Sequence, residues 1–276
     1  MKWCFLFLLS ILPALANDSS VNAGGIGPEP MGNYEGDESV IRMVSESIDI
    51  IFRKETSEVV CRFTFRSTKK GAPAKQIVGF PDMAGTDESD MGHIQEMHTK
   101  VDGKTVQAEK KRGWAYHVNG VLRATLGENP LTKDADSQPI PMDYFIVNVE
   151  FPEDRDVIIE RHYISDNGGS VAGDKTFFYT TETGGVWRGT IGQADFHVTL
   201  EGWTVDDLAF EDGIQHVEPR KQDSWCSPNK SEWSVVSPTE LKLTWKNFEP
   251  AAHSSRKSIS LATWRKQAPP DGKPEN

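Results

Sequence analysis

The sequence predicts an all-β fold, an antiparallel β-sandwich architecture in two lobes with one short helix between them. Three observations lead there. Most apolar residues fall in short runs that alternate with polar ones, the period of a half-buried strand. Turn residues are dense, with 23 glycines and 16 prolines punctuating those runs. Only one stretch carries helical spacing, and no segment repeats at the intervals of a propeller or solenoid.

The chain opens with residues 1–16, MKWCFLFLLSILPALA. Lys2 gives a positive start, an apolar run extends from Trp3 to Leu12, and Pro13 precedes Ala14-Leu15-Ala16. This is the layout of a secretory signal, with cleavage expected after Ala16. The run is well short of the roughly 20 apolar residues that a membrane span needs. No later stretch is long and apolar enough either, so the expectation is a soluble protein, secreted or periplasmic. Residues 17–39 are glycine- and proline-rich and read as an irregular N-terminal segment.

From Val40 the texture becomes β. Ser47 to Phe52 and Glu58 to Arg66 flank the polar turn Lys54-Glu55-Thr56-Ser57, which predicts a hairpin. Lys75 to Phe80 reads as a strand stopped by Pro81. Ile94 to Val101 and Lys104 to Glu109 flank Asp102-Gly103, the residues a two-residue turn requires. Val118, Val121, Leu122, Thr125 and Leu126 then recur at helical spacing before Gly127 and Pro130, predicting the one short helix. Thr132 to Pro141 is polar and proline-rich. The first β lobe is therefore placed at 40–135 and the second at 136–266. In the second lobe Met142 to Phe151, Asp156 to Ile164, Lys175 to Thr181, Ala194 to Leu200, Glu240 to Trp245 and Lys257 to Trp264 read as strands. Residues 267–276, QAPPDGKPEN, read as a disordered tail.

Composition excludes more than it assigns. The formal net charge is -11, one unit more negative once Lys2 is removed with the signal. Nucleic acid is an unsuitable partner, because phosphate-binding surfaces need clustered Lys and Arg. No nucleophile elbow, phosphate-cradling glycine loop or metal-ligand spacing is present. The densest set of oxygen and nitrogen ligands, Asp82, Asp87, Glu88, Asp90, His93, Glu96 and His98, reads as a solvated loop entering a strand. No catalytic residue, metal or cofactor is assigned. In an exported protein Cys61 and Cys226 invite a disulfide. The alternative is a core thiol at Cys61, on the face of Val59 and Phe63, and a loop thiol at Cys226.

Two segments concentrate charged, aromatic and glycine residues where strands leave a sheet. They are Glu160-Arg161-His162-Tyr163 running into Ser165-Asp166-Asn167, and Thr181-Glu182 running into Gly184-Gly185-Val186-Trp187-Arg188. Loops on a rigid β scaffold commonly carry binding residues. Arg161, His162, Tyr163, Asp166, Glu182, Trp187 and Arg188 are accordingly the candidate ligand-binding residues. The competing reading has the glycines serving turns and Trp187 packed into the protein.

Several landmarks fall in a recognisable order: Asn17-Asp18-Ser19 with Gly24-Gly25, Ile41 to Ile50, Phe80-Pro81-Asp82-Met83, Val101 to Lys104, Arg161-His162-Tyr163, Thr183-Gly184-Gly185-Val186-Trp187-Arg188-Gly189-Thr190-Ile191, and Asn247 to Pro250. Together they resemble a family of exported bacterial proteins classed as a domain of unknown function. Ile164-Ser165-Asp166 departs from that pattern, where a proline is expected. The resemblance implies a secreted or periplasmic β-rich protein and carries over no catalytic residues. The leading functional expectation is a non-enzymatic protein that binds a partner or cell-envelope component. The alternative is a carbohydrate-binding or glycoside-active protein using exposed Trp and paired carboxylates.

Overall fold

The computed structural model describes residues 24–26, 29–31, 39–82, 94–130, 135, 138–169, 173–211, 225–250 and 258–264. The signal segment 1–16, the tail 267–276 and, from the acidic stretch, Asp87, Glu88, Asp90 and His93 lie outside the described residues. The strands in chain order are β1 Gly24–Ile26, β2 Glu29–Pro30, β3 Ile41–Phe52, β4 Thr56–Ser67, β5 Ala74–Asp82 and β6 Ile94–Val101. They continue as β7 Lys104–Val106, β8 Glu109–Val118, β9 Val121–Leu126, β10 Ile140–Phe151, β11 Val157–Asp166 and β12 Gly168–Gly169. The last are β13 Lys175–Thr180, β14 Ile191–Leu200, β15 Ser234–Ser237, β16 Glu240–Phe248 and β17 Ser258–Ala262. No helix among the described residues is long and apolar enough to cross a membrane.

The strands form three sheets. The largest runs β15-β16-β14-β3-β4-β11-β6-β7, the second runs β2-β5-β10-β8-β9, and the third joins β1, β12 and β17 to β13. Pairing is antiparallel except that β14 lies parallel to β3 and β1 parallel to β13. The protein is thus mainly β, as the alternation predicts. One face of the large sheet packs with β5, β10, β13 and β17 in a single apolar core. A smaller cluster around Met31, Ala124, Met142 and Tyr144 lies in the second sheet. The large sheet's other face is polar.

The helix predicted at Val118 to Leu126 does not exist. Val118 pairs with Val121 across a two-residue turn, closing the β8–β9 hairpin. Asn119 and Gly120 occupy that turn with φ of 53° and 73°, the left-handed conformation that Asn-Gly adopts most readily. Turn chemistry overrides an apolar spacing that spans little more than two helical turns. The Asp102-Gly103 turn forms as read, with φ of 50° and 74°. Strand β5 runs on through Pro81, which faces Tyr144 of β10. The proline is tolerated because β2 pairs β5 only at Val78 and Gly79, leaving Pro81 with a partner strand on one side.

A bulge in β3 decides what faces the core. Ile41 and Met43 are buried, and the register against β4 then shifts between Met43 and Ser45. The extra residue reverses the alternation, so that Glu46, Ile48, Ile50 and Phe52 all point inward. Three large apolar residues reach the core this way, and one carboxyl group goes with them.

Candidate functional site

Strand β11 divides the run Glu160-Arg161-His162-Tyr163 between two environments. Successive strand side chains point to opposite faces. Arg161 and Tyr163 are therefore buried in the core, whereas Glu160 and His162 lie on the polar outer face.

On that outer face the register aligns a row of side chains across the sheet. His197 of β14 is opposite Asp49, Asp49 opposite Val60, Val60 opposite His162 and His162 opposite His98. The rings of His98 and His162 are 6.0 Å apart between centroids. His162 Nε2 lies 2.9 Å from Glu58 Oε1. Glu58 is held below the usual carboxylate range by Arg53 first and His162 second. In the adjoining row Arg62 is ion-paired with Glu160 at 2.7 Å, and Lys100 is opposite both Glu160 and Thr105. These two rows border a groove of about 420 Å³ whose lining includes Val60, His98, Lys100, Thr105, Glu160 and His162, together with Thr99 and Arg161. Val60 is 42% exposed, one of the few large apolar side chains open to solvent. The groove thus combines an apolar floor, two imidazoles, a carboxylate and an ammonium group, Lys100, that has no ion-pair partner among the described residues.

The remaining candidates are not part of this groove. Asp166 ends β11 and accepts a hydrogen bond of 2.6 Å from Gln95 Nε2. Next to it Asn167 fastens the strand end to the β3–β4 turn, through Ser57 Oγ at 2.6 Å and the Arg53 carbonyl at 2.8 Å. Glu182 opens a short 3-10 turn, Glu182–Val186, and sits 3.1 Å from His117 Nε2. Trp187 is 1% exposed and packs on Phe65 with ring centroids 4.7 Å apart, so it belongs to the core. Arg188 is exposed, and its backbone N–H donates to the Ile41 carbonyl. The two glycines before Trp187 serve packing as well. A Cβ on Gly184 would come within 2.8 Å of Ile191 Cδ1, and one on Gly185 within 2.9 Å of the Pro250 carbonyl oxygen.

The disulfide is corrected too: Cys61 and Cys226 are both free and both buried. Cys61 lies in mid-sheet on β4, facing Tyr179 of β13. Cys226 is fixed elsewhere, accepting the Ala262 N–H at 3.2 Å and contacting the Ala262 carbonyl at 3.3 Å. Burial pushes the Cys61 thiol up and the Cys226 thiol up to about 12, so both are inert. Among the described residues no group of three or more metal-ligating side chains gathers. Trp187, Trp233 and Trp245 are buried, whereas Trp114, Trp203, Trp225 and Trp264 are partly exposed.

Sequence reading missed the partners of these residues. Val60 and Lys100 are unremarkable singly and acquire meaning only from strand register. Glu46 is turned inward by a bulge that no residue type announces.

Comparison with known proteins bears on the fold. No protein-family model matches the chain, and no curated protein matches it. Among solved structures the chain is similar to a putative nutrient binding protein from Legionella pneumophila. The TM-score is 0.61 at 18% identity, covering 88% of this chain and 72% of that one. At that identity the likeness shows a shared fold. Weaker matches are an M1 zinc metallopeptidase from Deinococcus radiodurans and aminopeptidase A from Legionella pneumophila. The first has a TM-score of 0.36 at 6% identity, over 81% of this chain and 42% of that one. The second has a TM-score of 0.31 at 11% identity, over 86% of this chain and 22% of that one. The chain spans less than half the length of either peptidase.

Proposed function

We propose that this is an exported binding protein without catalysis of its own, which takes a small polar solute in the groove beside His162. The observation that carries the reading is the groove itself. It places Lys100 as a donor and two imidazoles around the exposed Val60, with Glu160 at the rim. Sites of this kind combine a little apolar surface with a few fixed polar groups. The signal-like N-terminus supports secretion or residence in the periplasm. The fold shared with a putative nutrient binding protein supports a binding role over a structural one.

Equilibrium dialysis of the processed protein against amino acids, dipeptides and simple sugars tests this. One of these classes should bind. His162→Ala and Lys100→Ala should each weaken that binding at least tenfold while leaving the melting temperature unchanged. No binding by any class, or binding indifferent to both substitutions, overturns the proposal.

A further inference from the structure

Strand pairing sets the outward side chains of β4, β11 and β6 on a grid, because residues paired across a sheet project from the same face. Glu58 and Glu96 lie in one row, on either side of Ile164. Val60, His162 and His98 form the next row, and Arg62, Glu160 and Lys100 the third. Thr105 of β7 continues the third row at the edge of the sheet. The groove covers the second and third rows, with Val60 at one corner and Lys100 diagonally across from it.

The ionisable groups of this grid are unequally engaged. His162 Nε2 lies 2.9 Å from Glu58 Oε1, and His98 Nε2 lies 3.6 Å from Glu96 Oε2. Both carboxylates belong to the row away from Lys100, so each imidazole turns a nitrogen away from the third row. Glu58 is also held by Arg53 at 2.8 Å. Glu160 is directly opposite Lys100 and is the carboxylate that could neutralise it. It turns the other way, its Oε1 taking Arg62 Nη1 at 2.7 Å. Lys100 therefore forms no ion pair among the described residues, although it is flanked by an acid. Its ammonium stands at the groove's edge next to Thr105, which is exposed.

The geometry points to an apolar carboxylate as the solute of this groove, its carboxylate held by the Lys100 ammonium and its hydrocarbon chain laid over the His98 and His162 rings to Val60. This rests on the groove being a solute site and names the class that fits it. An ammonium and a carboxylate form a charge-assisted hydrogen bond. Val60 and Lys100 are two strands and two residues apart, roughly 12 Å between backbones. The stem of Lys100 spans part of that distance and leaves room for a chain of a few carbons. One cation beside Glu160 suits a single negative charge, so a phosphate dianion would meet repulsion that a carboxylate avoids. A sugar offers neither the charge nor the apolar chain. Aliphatic amino acids and short peptides ending in one carry both.

The test measures binding of N-acetyl-leucine, its uncharged amide, N-acetyl-glycine and inorganic phosphate to the processed protein by titration calorimetry. N-acetyl-leucine should bind at least tenfold more tightly than each of the other three. Added sodium chloride should weaken it, because an ion pair at an exposed edge is screened. Lys100→Met keeps the stem and loses the charge, and should bring the acid down to the affinity of the amide. Lys100→Arg should preserve the difference. Val60→Ser should weaken the acid and the amide alike, leaving their ratio unchanged. Lys104→Met removes a neighbouring charge from the opposite face of β7 and should change nothing. An amide that binds as tightly as the acid overturns this inference, and so does an equal loss in Lys104→Met. Binding that weakens in His162→Ala and not in Lys100→Met overturns it too, while leaving the groove as a solute site. If none of these probes binds, and no amino acid, dipeptide or sugar does, the groove and this inference fall together.

Discussion

Gly192 lies directly against the backbone of Val44: a Cβ placed on it would come 2.5 Å from the Val44 carbonyl oxygen. Val44 is the bulged residue of β3, and β14, which carries Gly192, is the parallel neighbour of that strand. The bulge turns Ile48, Ile50 and Phe52 inward, so the glycine protects the feature that sets the inward face of β3. Gly192→Ala should destabilise the protein by about 1–3 kcal/mol through overpacking against backbone. Chemical denaturation checks this, and a variant as stable as the parent would show that the bulge can yield.

Trp187 was a ligand candidate by its setting in sequence and is a core residue by its packing on Phe65. Trp187→Ala should cost roughly 3–5 kcal/mol, the usual range for removing a large buried aromatic. Thermal or urea unfolding should register that loss. A variant that unfolds normally yet loses solute binding would contradict this placement.

Glu46 makes stability depend on pH in a predictable direction. The unfolded carboxyl ionises above about pH 4.5, whereas the folded one stays protonated until about pH 8. The folded state binds the extra proton throughout that window, so stability falls as pH rises through it and levels off above. The contribution is on the order of 5 kcal/mol across the window. Denaturation curves at pH 5 and pH 8 should therefore converge in Glu46→Gln relative to the parent. Equal pH dependence in both proteins would show that Glu46 is solvated.

The two thiols give a simple chemical prediction. Neither Cys61 nor Cys226 should react with a disulfide reagent in the native protein, because both are buried and both thiols are held protonated. Denatured without reductant, the protein should release two reactive thiols from these positions. Finding none would restore the bridge.

Much of the fold was legible because most strands have one wet and one dry face. The hairpin arms Ser47 to Phe52 and Glu58 to Arg66 and the strands around Phe151, Tyr163 and Phe196 carry clean alternation, and the same alternation places Cys61 on a buried face. In the β8–β9 hairpin an apolar spacing mimics a helix stripe, although Asn119-Gly120 is itself a strong turn signal. The parallel contact of β14 with β3 joins residues about 150 positions apart, and local chemistry does not encode such a pairing. For the candidate residues the difficulty was of another kind. Arg161, His162 and Tyr163 are adjacent in sequence and read as one cluster, yet strand parity sends them to different surroundings. The alternation that places Cys61 on a buried face separates them as well.

The division of β11 bears on how this segment can change. Substituting an outward residue such as His162 adjusts the surface and leaves the interior chemistry alone, and the converse holds for Arg161 and Tyr163. Deleting or inserting one residue is different in kind. It would bring His162 into the core and carry the guanidinium and the phenol out to water, exchanging both surfaces at once. The segment is therefore permissive to replacement and intolerant of a change in length.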